Sequence, residues 1–164
     1  MQERIPLCKP SFGEEEYRAL RQTLESGWIG RGPQTLEFEE QFANFIGVEH
    51  VVALNSATAA LHLAMLAAEV EGQEVLTTSI TFVSTNHAIL HGGGRPVFCD
   101  VESDTLNIDP REIEKKITPT TRAILVMHYG GHACDMDPIL ELADDHGLWV
   151  IEDTAQGCGG LYRD

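Results

Sequence analysis

The stretch that decides the fold is WVIEDTAQGCGG, at residues 149–160. It predicts a hydrophobic strand that begins at Leu148 and carries Glu152 and Asp153 at its carboxyl end. Small and polar residues follow at positions 154–157. In an open parallel α/β sheet, ligands bind just beyond the carboxyl ends of the strands. A carboxylate held there can stabilise a protonated ring nitrogen of a ligand, because opposite charges favour each other's ionised forms.

Strands and helices alternate from residue 50 onward. The apolar runs predict strands at 50–54, 74–77, 96–99, 123–127 and 148–152. The segments between them predict helices at 56–70, 83–91, 110–117 and 138–146. Five short strands separated by helices predict an α/β fold, a three-layer αβα arrangement in which a mostly parallel sheet is covered on both faces.

Two further helices are predicted before residue 50. Residues 1–49 are therefore interpreted as an N-terminal helical extension, and residues 50–164 as the α/β domain. The first helix covers residues 14–25. Its start is assigned from Ser11 and Glu14, which have the spacing of a capping box.

The composition excludes several classes of protein. A net charge of −15 opposes binding to nucleic acid or to an anionic membrane, because such partners need a basic face. The four cysteines, at positions 8, 99, 134 and 158, lack metal-site spacing and are interpreted as reduced thiols. Neither a signal peptide nor a membrane-spanning run is evident. A cytoplasmic protein is expected.

The segment NSATA, residues 55–59, lies between a predicted strand and a predicted helix. A helix N-terminus offers unpaired N–H groups and a positive dipole end, which suit a phosphate. Ala57 is small enough for a close approach, and Ser56 and Thr58 add hydroxyl groups. The alternative is simple N-capping by Ser56, and the local pattern favours capping.

Three other side chains follow predicted strands at the same sheet edge. Phe82 could stack on a flat cofactor or could pack in the core under a helix. Asp153 could pair with a ring nitrogen, bind a metal ion or cap the next turn. Gln156 could hydrogen-bond a ligand oxygen or face solvent. A carboxylate on a pyridine nitrogen is what enzymes that use pyridoxal phosphate (PLP) require, since the pyridinium is the electron sink.

The segment HYGGH, residues 128–132, resembles a metal-binding pair. Its two histidines are separated by glycines on a predicted loop, so they share no fixed face. We interpret His128 and His132 as hydrogen-bonded loop residues, and we expect no metal site.

An ordered set of segments identifies a family. The set is SGWIGRGP, NSATAALHLAM, TSITFVSTNHAIL, GGRPVFCDVESDTLNID, MHYGGHACDMDPI and VIEDTAQGCGG. It resembles the DegT/DnrJ/EryC1/StrS family of PLP-dependent sugar aminotransferases over essentially the whole sequence. The resemblance implies the type I aminotransferase fold and a homodimer with its active site at the subunit interface. It also implies transfer of an amino group, mostly from glutamate, to a keto sugar attached to a nucleotide.

The resemblance assigns roles to five cofactor-binding residues. Ala57 and Thr58 match the turn whose backbone amides hold the PLP phosphate; the family often has Gly at the position of Ala57. Phe82 matches the aromatic residue stacked on the pyridine ring, and Asp153 the carboxylate bonded to the ring nitrogen. Gln156 matches a His or Gln position beside the cofactor.

The resemblance also places Trp28 and Ile29 in a loop near the substrate. The family's Schiff-base lysine matches a position downstream of the sequence. None of the lysines present, Lys9, Lys115 and Lys116, matches that position. The sequence is therefore expected to lack the catalytic lysine and the C-terminal small domain, and to be inactive alone.

The sequence is interpreted as the N-terminal, cofactor-binding part of a nucleotide-sugar aminotransferase. Its expected partners are a nucleotide-sugar substrate, an amino donor, and either a second copy or a complementing C-terminal half. Two alternatives stay open: a PLP-dependent sugar dehydratase of the same family, and a non-catalytic interaction subunit.

Overall fold

The computed structural model describes residues 9–163, which form two compact units that divide between Ala53 and Leu54. Cys8, which was interpreted as a reduced thiol, lies outside the described residues. Within them, Cys99 and Cys134 are buried, Cys158 is exposed, and all three are free.

The N-terminal unit contains the two predicted helices, α1 (Glu14–Ser26) and α2 (Pro33–Ile46). The assignment of the α1 cap to Ser11 is wrong. Gly13 is the N-cap, and its N–H donates to Oε2 of Glu16 at 2.6 Å. The reciprocal arm of a capping box needs a carboxylate three residues into the helix, and Glu16 meets that condition when the helix starts one residue after Gly13.

A buried carboxylate organises the second half of this unit. Glu39 of α2 is buried, and its Oε1 accepts the backbone N–H of Ala53 at 2.9 Å. Its Oε2 accepts Nη2 of Arg31 at 3.0 Å. The bond from Ala53 and then that from Arg31 hold the pKa of Glu39 below its usual value, against the opposing effect of burial. Glu39 therefore ties the loop before α2 and the segment after it to one helix.

The larger unit alternates helices and strands. Its helices are α3 (Ala57–Ala67), α4 (Val83–His91), α5 (Pro110–Glu114) and α6 (Met136–His146). Its strands are β1 (Glu74–Thr78), β2 (Arg95–Cys99), β3 (Thr121–Met127) and β4 (Trp149–Asp153). They form one sheet in the order β2-β1-β3-β4, and every pair is parallel.

Helices cover both faces of this sheet. On one face, Val75, Ala123 and Leu125 pack against side chains of α3 and α4 such as Met65 and Ile89. On the other face, the alternate residues of the same strands, including Leu76, Ile124 and Val126, pack against α5 and α6. Strands buried on both faces read as continuous apolar runs, which is why β3 was recognisable in the sequence. The predicted αβα layering is confirmed.

The expected strand at 50–54 is not formed, so the described residues contain four strands instead of five. A strand needs a neighbour for its backbone hydrogen bonds. At Ala53 the N–H donates to the carboxylate of Glu39 instead. Residues 50–54 therefore have the apolar character of a strand, but no strand among the described residues pairs with them.

Two helices are shorter than expected. α3 ends at Ala67 instead of residue 70, because Glu69 adopts a left-handed conformation with φ 54°. α5 ends at Glu114 instead of residue 117.

On α3, Leu61 and Met65 are buried, whereas Leu63 and Leu66 stay about half exposed at 48% and 50%. Among residues 9–163, no helix has both the length and the apolar character needed to cross a bilayer.

Candidate cofactor site at the carboxyl end of the sheet

A cavity of about 270 Å³ opens where the strands end. Its walls come from the segment after β1, the last residues of β3 and β4, the turn after β4 and the N-terminus of α3. It is lined by Ala57, Thr58, Phe82, Ser84, Met127, Asp153, Ala155 and Gln156. The five residues proposed to bind a cofactor all belong to this set, although they lie up to a hundred residues apart in the sequence.

Asp153 is the last residue of β4 and is buried, yet it lines the cavity. Its Oδ2 accepts the hydroxyl of Thr85 at 2.8 Å, and its Oδ1 accepts the backbone N–H of Ala155 at 3.2 Å. An ionised carboxylate offers about four acceptor sites. Two are used by the protein, and the others are available to a ligand.

The N-terminus of α3 forms a second wall. Ser56 caps the helix, since its Oγ accepts the backbone N–H of Ala59 at 3.2 Å. Capping by Ser56 is therefore confirmed. It leaves the N–H groups of Ala57 and Thr58, in the first turn, without partners inside the helix. Both residues are exposed and line the cavity, so the capped helix end still offers donors to an anion.

Phe82 forms the third wall as the N-cap of α4, and it is 70% exposed. The alternative that Phe82 packs in the core is wrong. The inward face of α4 is formed instead by Thr85, Ala88 and Ile89, which are spaced three and four residues apart. An exposed aromatic ring beside a carboxylate provides a surface on which a flat ligand can stack.

The loop after β3 holds Gln156 in place. The backbone N–H of Gly130 donates to its Oε1 at 2.8 Å. Asn107, which is buried, anchors the same loop: its Nδ2 donates to the carbonyls of His132 and Ala133, and its Oδ1 accepts the N–H of Tyr129. Gln156 is exposed. Its side chain is hydrogen-bonded to the loop and also lines the cavity.

His128 is a hydrogen-bonded loop histidine, as interpreted. Its Nδ1 accepts the backbone N–H of Cys134 at 3.1 Å, and its Nε2 lies 2.9 Å from Oε2 of Glu152. The bond to His128 lowers the pKa of Glu152, and burial opposes this effect. Both ring nitrogens of His128 already have protein partners, whereas His132 is exposed. Across the described part of the chain, no cluster of three or more metal-ligating side chains occurs.

Trp28 and Ile29, the expected substrate-loop residues, lie in the N-terminal unit. They line a cavity of about 450 Å³ there, together with residues of the first turn of α2. The indole Nε1 of Trp28 donates to the carbonyl of Arg31 at 2.9 Å. Both side chains are exposed. Their role toward a substrate stays a prediction.

Sequence reasoning missed Thr85 and Asn107. Thr85 was detectable, because it is a polar residue on the face of α4 that packs against the protein core. It lies three and four residues before Ala88 and Ile89, which share that face. Asn107 carried no such signal, since its partners lie 22 to 26 residues away in a loop.

The approach of Gly131 to Gln156 leads to a stability prediction. Gly131 has φ +82°, and a Cβ placed on it would lie 2.6 Å from the carbonyl oxygen of Gln156. We expect Gly131→Ala to destabilise the fold by roughly 2–4 kcal/mol, from left-handed strain plus a backbone clash. The matched control is Gly130→Ala, at φ +63° with open space around the Cβ, which should cost only about 1 kcal/mol. Equal losses in urea unfolding would contradict the close approach.

Comparisons with known proteins place the chain in a family. The DegT/DnrJ/EryC1/StrS aminotransferase family matches residues 10–164. The spore coat polysaccharide biosynthesis protein SpsC of Bacillus subtilis (strain 168) is 47% identical over 160 residues, which are 97% of this chain and 41% of SpsC. This chain belongs to the DegT/DnrJ/EryC1/StrS aminotransferase family.

Solved structures agree with the fold. The aminotransferase TlmJ from Streptoalloteichus hindustanus is 41% identical with a TM-score of 0.91, covering 95% of this chain and 43% of TlmJ. The putative sugar aminotransferase Spr1654 from Streptococcus pneumoniae, in its PLP-form, is 31% identical with a TM-score of 0.88, covering 93% of this chain and 43% of Spr1654. The fold prediction is thereby confirmed. The chain spans less than half the length of these relatives.

Proposed function

We propose that the protein carrying this chain is a PLP-dependent aminotransferase that transfers an amino group from an amino acid, glutamate by resemblance, to a nucleotide-linked keto sugar. The observation that carries the proposal is the single cavity shared by Asp153, Phe82 and the N-terminus of α3. These three features suit three different parts of one molecule: a ring nitrogen, a ring face and a phosphate.

The charge distribution of the cavity supports a cationic ring nitrogen. Asp153 is the one charged side chain among the eight residues that line the cavity. A buried carboxylate is costly unless hydrogen bonds or an opposite charge stabilise it. Thr85 and Ala155 supply hydrogen bonds, and a protonated pyridine nitrogen would supply the opposite charge. Asp153 would therefore hold the proton on that nitrogen.

Among the described residues that line the cavity, none has a cationic side chain, so uncharged donors would hold the phosphate there. The N–H groups of Ala57 and Thr58 and the helix dipole of α3 favour an anion, by about 0.3–1 kcal/mol for the dipole alone. The hydroxyls of Thr58 and Ser84, both on cavity-lining residues, are further donors. These groups form an uncharged cradle rich in hydrogen-bond donors, which suits a phosphate.

The remaining chemistry follows from how these residues act together. PLP, when bound, supplies the electron sink that amino-group transfer requires. Phe82 would orient the ring by stacking, and Gln156, held by Gly130, would limit its movement. Lys115 bonds to Glu112, and Lys116 to the carbonyl of Phe98, and neither lines the cavity. We propose that the lysine which joins PLP covalently comes from elsewhere in the whole protein, and that residues 1–164 alone do not transaminate.

The test uses protein produced from its whole gene. PLP is titrated in and followed by absorbance and fluorescence, and 2-oxoglutarate release from glutamate is then measured with a panel of nucleotide-linked keto sugars. We expect PLP binding, and 2-oxoglutarate only when a nucleotide-linked keto sugar is present. The same sugars without the nucleotide serve as controls. An absence of PLP binding contradicts the cofactor, and binding without transfer to any such sugar contradicts the substrate class.

A further inference from the structure

A threonine that lies outside the cavity lining connects two of its walls. Thr85 is fully buried, at 0% exposure, in the first turn of α4. A hydroxyl buried this deeply costs free energy unless it is hydrogen-bonded. Its Oγ1 is 2.8 Å from Oδ2 of Asp153 and 2.8 Å from Oγ1 of Thr81. Thr85 is thus fully satisfied, and its partners are the site carboxylate and a second hydroxyl.

The direction of these bonds follows from chemistry. An ionised carboxylate can only accept, so Thr85 donates its one hydroxyl proton to Asp153. The oxygen of Thr85 is then free to accept, and Thr81 donates to it. Consecutive hydrogen bonds of this kind polarise one another. The result is a directed chain from Thr81 through Thr85 to Asp153.

The same turn also positions the aromatic wall. The backbone N–H of Thr85 donates to the carbonyl of Phe82 at 3.0 Å. The side chain of Thr85 therefore fixes Asp153 while its backbone fixes the residue that carries the ring. A planar ligand needs both its face and its in-plane nitrogen located, and one residue contacts both supports.

The N–H of Ala155 completes the orientation. It holds Oδ1 of Asp153 at 3.2 Å while Thr85 holds Oδ2 at 2.8 Å. With one donor on each oxygen, rotation of the carboxylate about its side-chain bond breaks a hydrogen bond. Asp153 still lines the cavity, so the fixed carboxylate presents its remaining acceptor sites to a ligand.

We propose that Thr85 is a positioning residue that orients the Asp153 carboxylate for the ring nitrogen of PLP, and that Thr81 is the outer member of the same hydrogen-bond chain. This inference rests on the proposed function, because it assumes that PLP occupies the cavity. Thr85 acts through Asp153 and does not contact the cofactor.

The test measures PLP affinity and the absorbance spectrum of bound PLP in protein produced from its whole gene. Thr85→Val keeps the shape and removes the hydroxyl, and we expect affinity to fall about tenfold, as for a lost hydrogen bond to a charged group. The absorbance band should shift as the ring environment changes. Thr85→Ser restores a hydroxyl and should return affinity to within about threefold of wild type. The matched control is Thr105→Val, which removes a 2.9 Å threonine–carboxylate bond to Glu102 away from the cavity, and it should leave both readouts unchanged.

A double-mutant cycle separates positioning from general packing. In an Asp153→Asn background, Thr85→Val should cause little further loss of PLP affinity, since the carboxylate that it orients is gone. Losses that simply add would overturn the assignment. Should Thr85→Val fail to fold, Thr85→Ala removes the same hydroxyl with less bulk.

The failures are distinguishable. A wild-type protein that does not bind PLP overturns the proposed function, and this assignment with it. A wild type that binds PLP, together with a folded Thr85→Val whose affinity and spectrum are unchanged, overturns the assignment of Thr85 alone.

Discussion

Asp153→Asn in the whole protein is expected to lower the rate of amino-group transfer by two to four orders of magnitude. The substitution keeps the size of the side chain and its place beside Thr85 and Ala155, but it removes the charge that would hold the ring nitrogen protonated. Losing one partner of a buried ion pair costs about 3–5 kcal/mol, and each 1.4 kcal/mol is about tenfold in rate. Steady-state kinetics with saturating PLP measures the loss.

The matched control for this substitution is Asp145→Asn. Asp145 is an exposed aspartate on α6 and does not line the cavity. Asp145→Asn changes the net charge of the protein by the same amount as Asp153→Asn. The rate of amino-group transfer should nevertheless stay within about twofold of wild type. Near-normal turnover of Asp153→Asn would refute the role given to Asp153.

Ala57→Asp is expected to separate ligand binding from stability. A carboxylate in the first turn of α3 interacts favourably with the helix dipole, so the free energy of unfolding should be unchanged or raised by about 0.3–1 kcal/mol. The same carboxylate would face the phosphate of PLP. Repulsion between charges a few ångströms apart near a protein surface reaches about 4 kcal/mol, so PLP affinity should fall at least about a hundredfold.

Ala57→Asn provides the control, because it adds nearly the same bulk without the charge. We expect it to weaken PLP binding far less than Ala57→Asp does, with both variants unfolding near the wild-type temperature. Similar losses in the two variants would show that bulk, and not charge, is what the site excludes at this position. Retention of wild-type affinity by Ala57→Asp would place the phosphate elsewhere.

The fold could be predicted to the extent that local patterns determine it. Residues 123–127 were recognisable because a strand covered on both faces carries an unbroken apolar run. Residues 74–77, 96–99 and 148–152 were recognisable as short, mostly apolar runs between helices, although the edge strands β2 and β4 stay partly exposed. Asp153 and Phe82 were recognisable as candidate site residues because both follow such runs, and strand ends meet at one edge of a parallel sheet. Their roles toward a cofactor came from the family resemblance. The run at 50–54 shows the limit of this reasoning, because apolar character cannot say whether a neighbouring strand is present.

What could not be predicted depends on contacts between distant segments. The burial of Glu39 in α2 follows from hydrogen bonds to Ala53 and Arg31, and nothing in the pattern of α2 indicates them. Asn107 is surrounded by loop backbone groups that only the folded chain brings together. The start of α1 at residue 14 was predicted correctly, but its cap was misassigned for a simpler reason. Three consecutive carboxylates lie in the first turn, and the sequence does not say which of them reaches back to the N-cap.

The hydrogen bond between Thr85 and Asp153 also bears on how the chain folds. These residues are 68 positions apart, and β3 must lie between β1 and β4 before they can meet. A contact between distant residues forms only after the entropy of closing the long loop between them has been lost. Topologies with many such contacts fold slowly, and the distant pairs form near the end of folding. Helices α3 and α4 are close in the sequence and pack in the same core cluster. The cavity wall that contains Asp153, in contrast, forms only when β4 joins the sheet. A ligand that needs this cavity would therefore bind only after β4 has joined the sheet, so its binding would report that the sheet is complete.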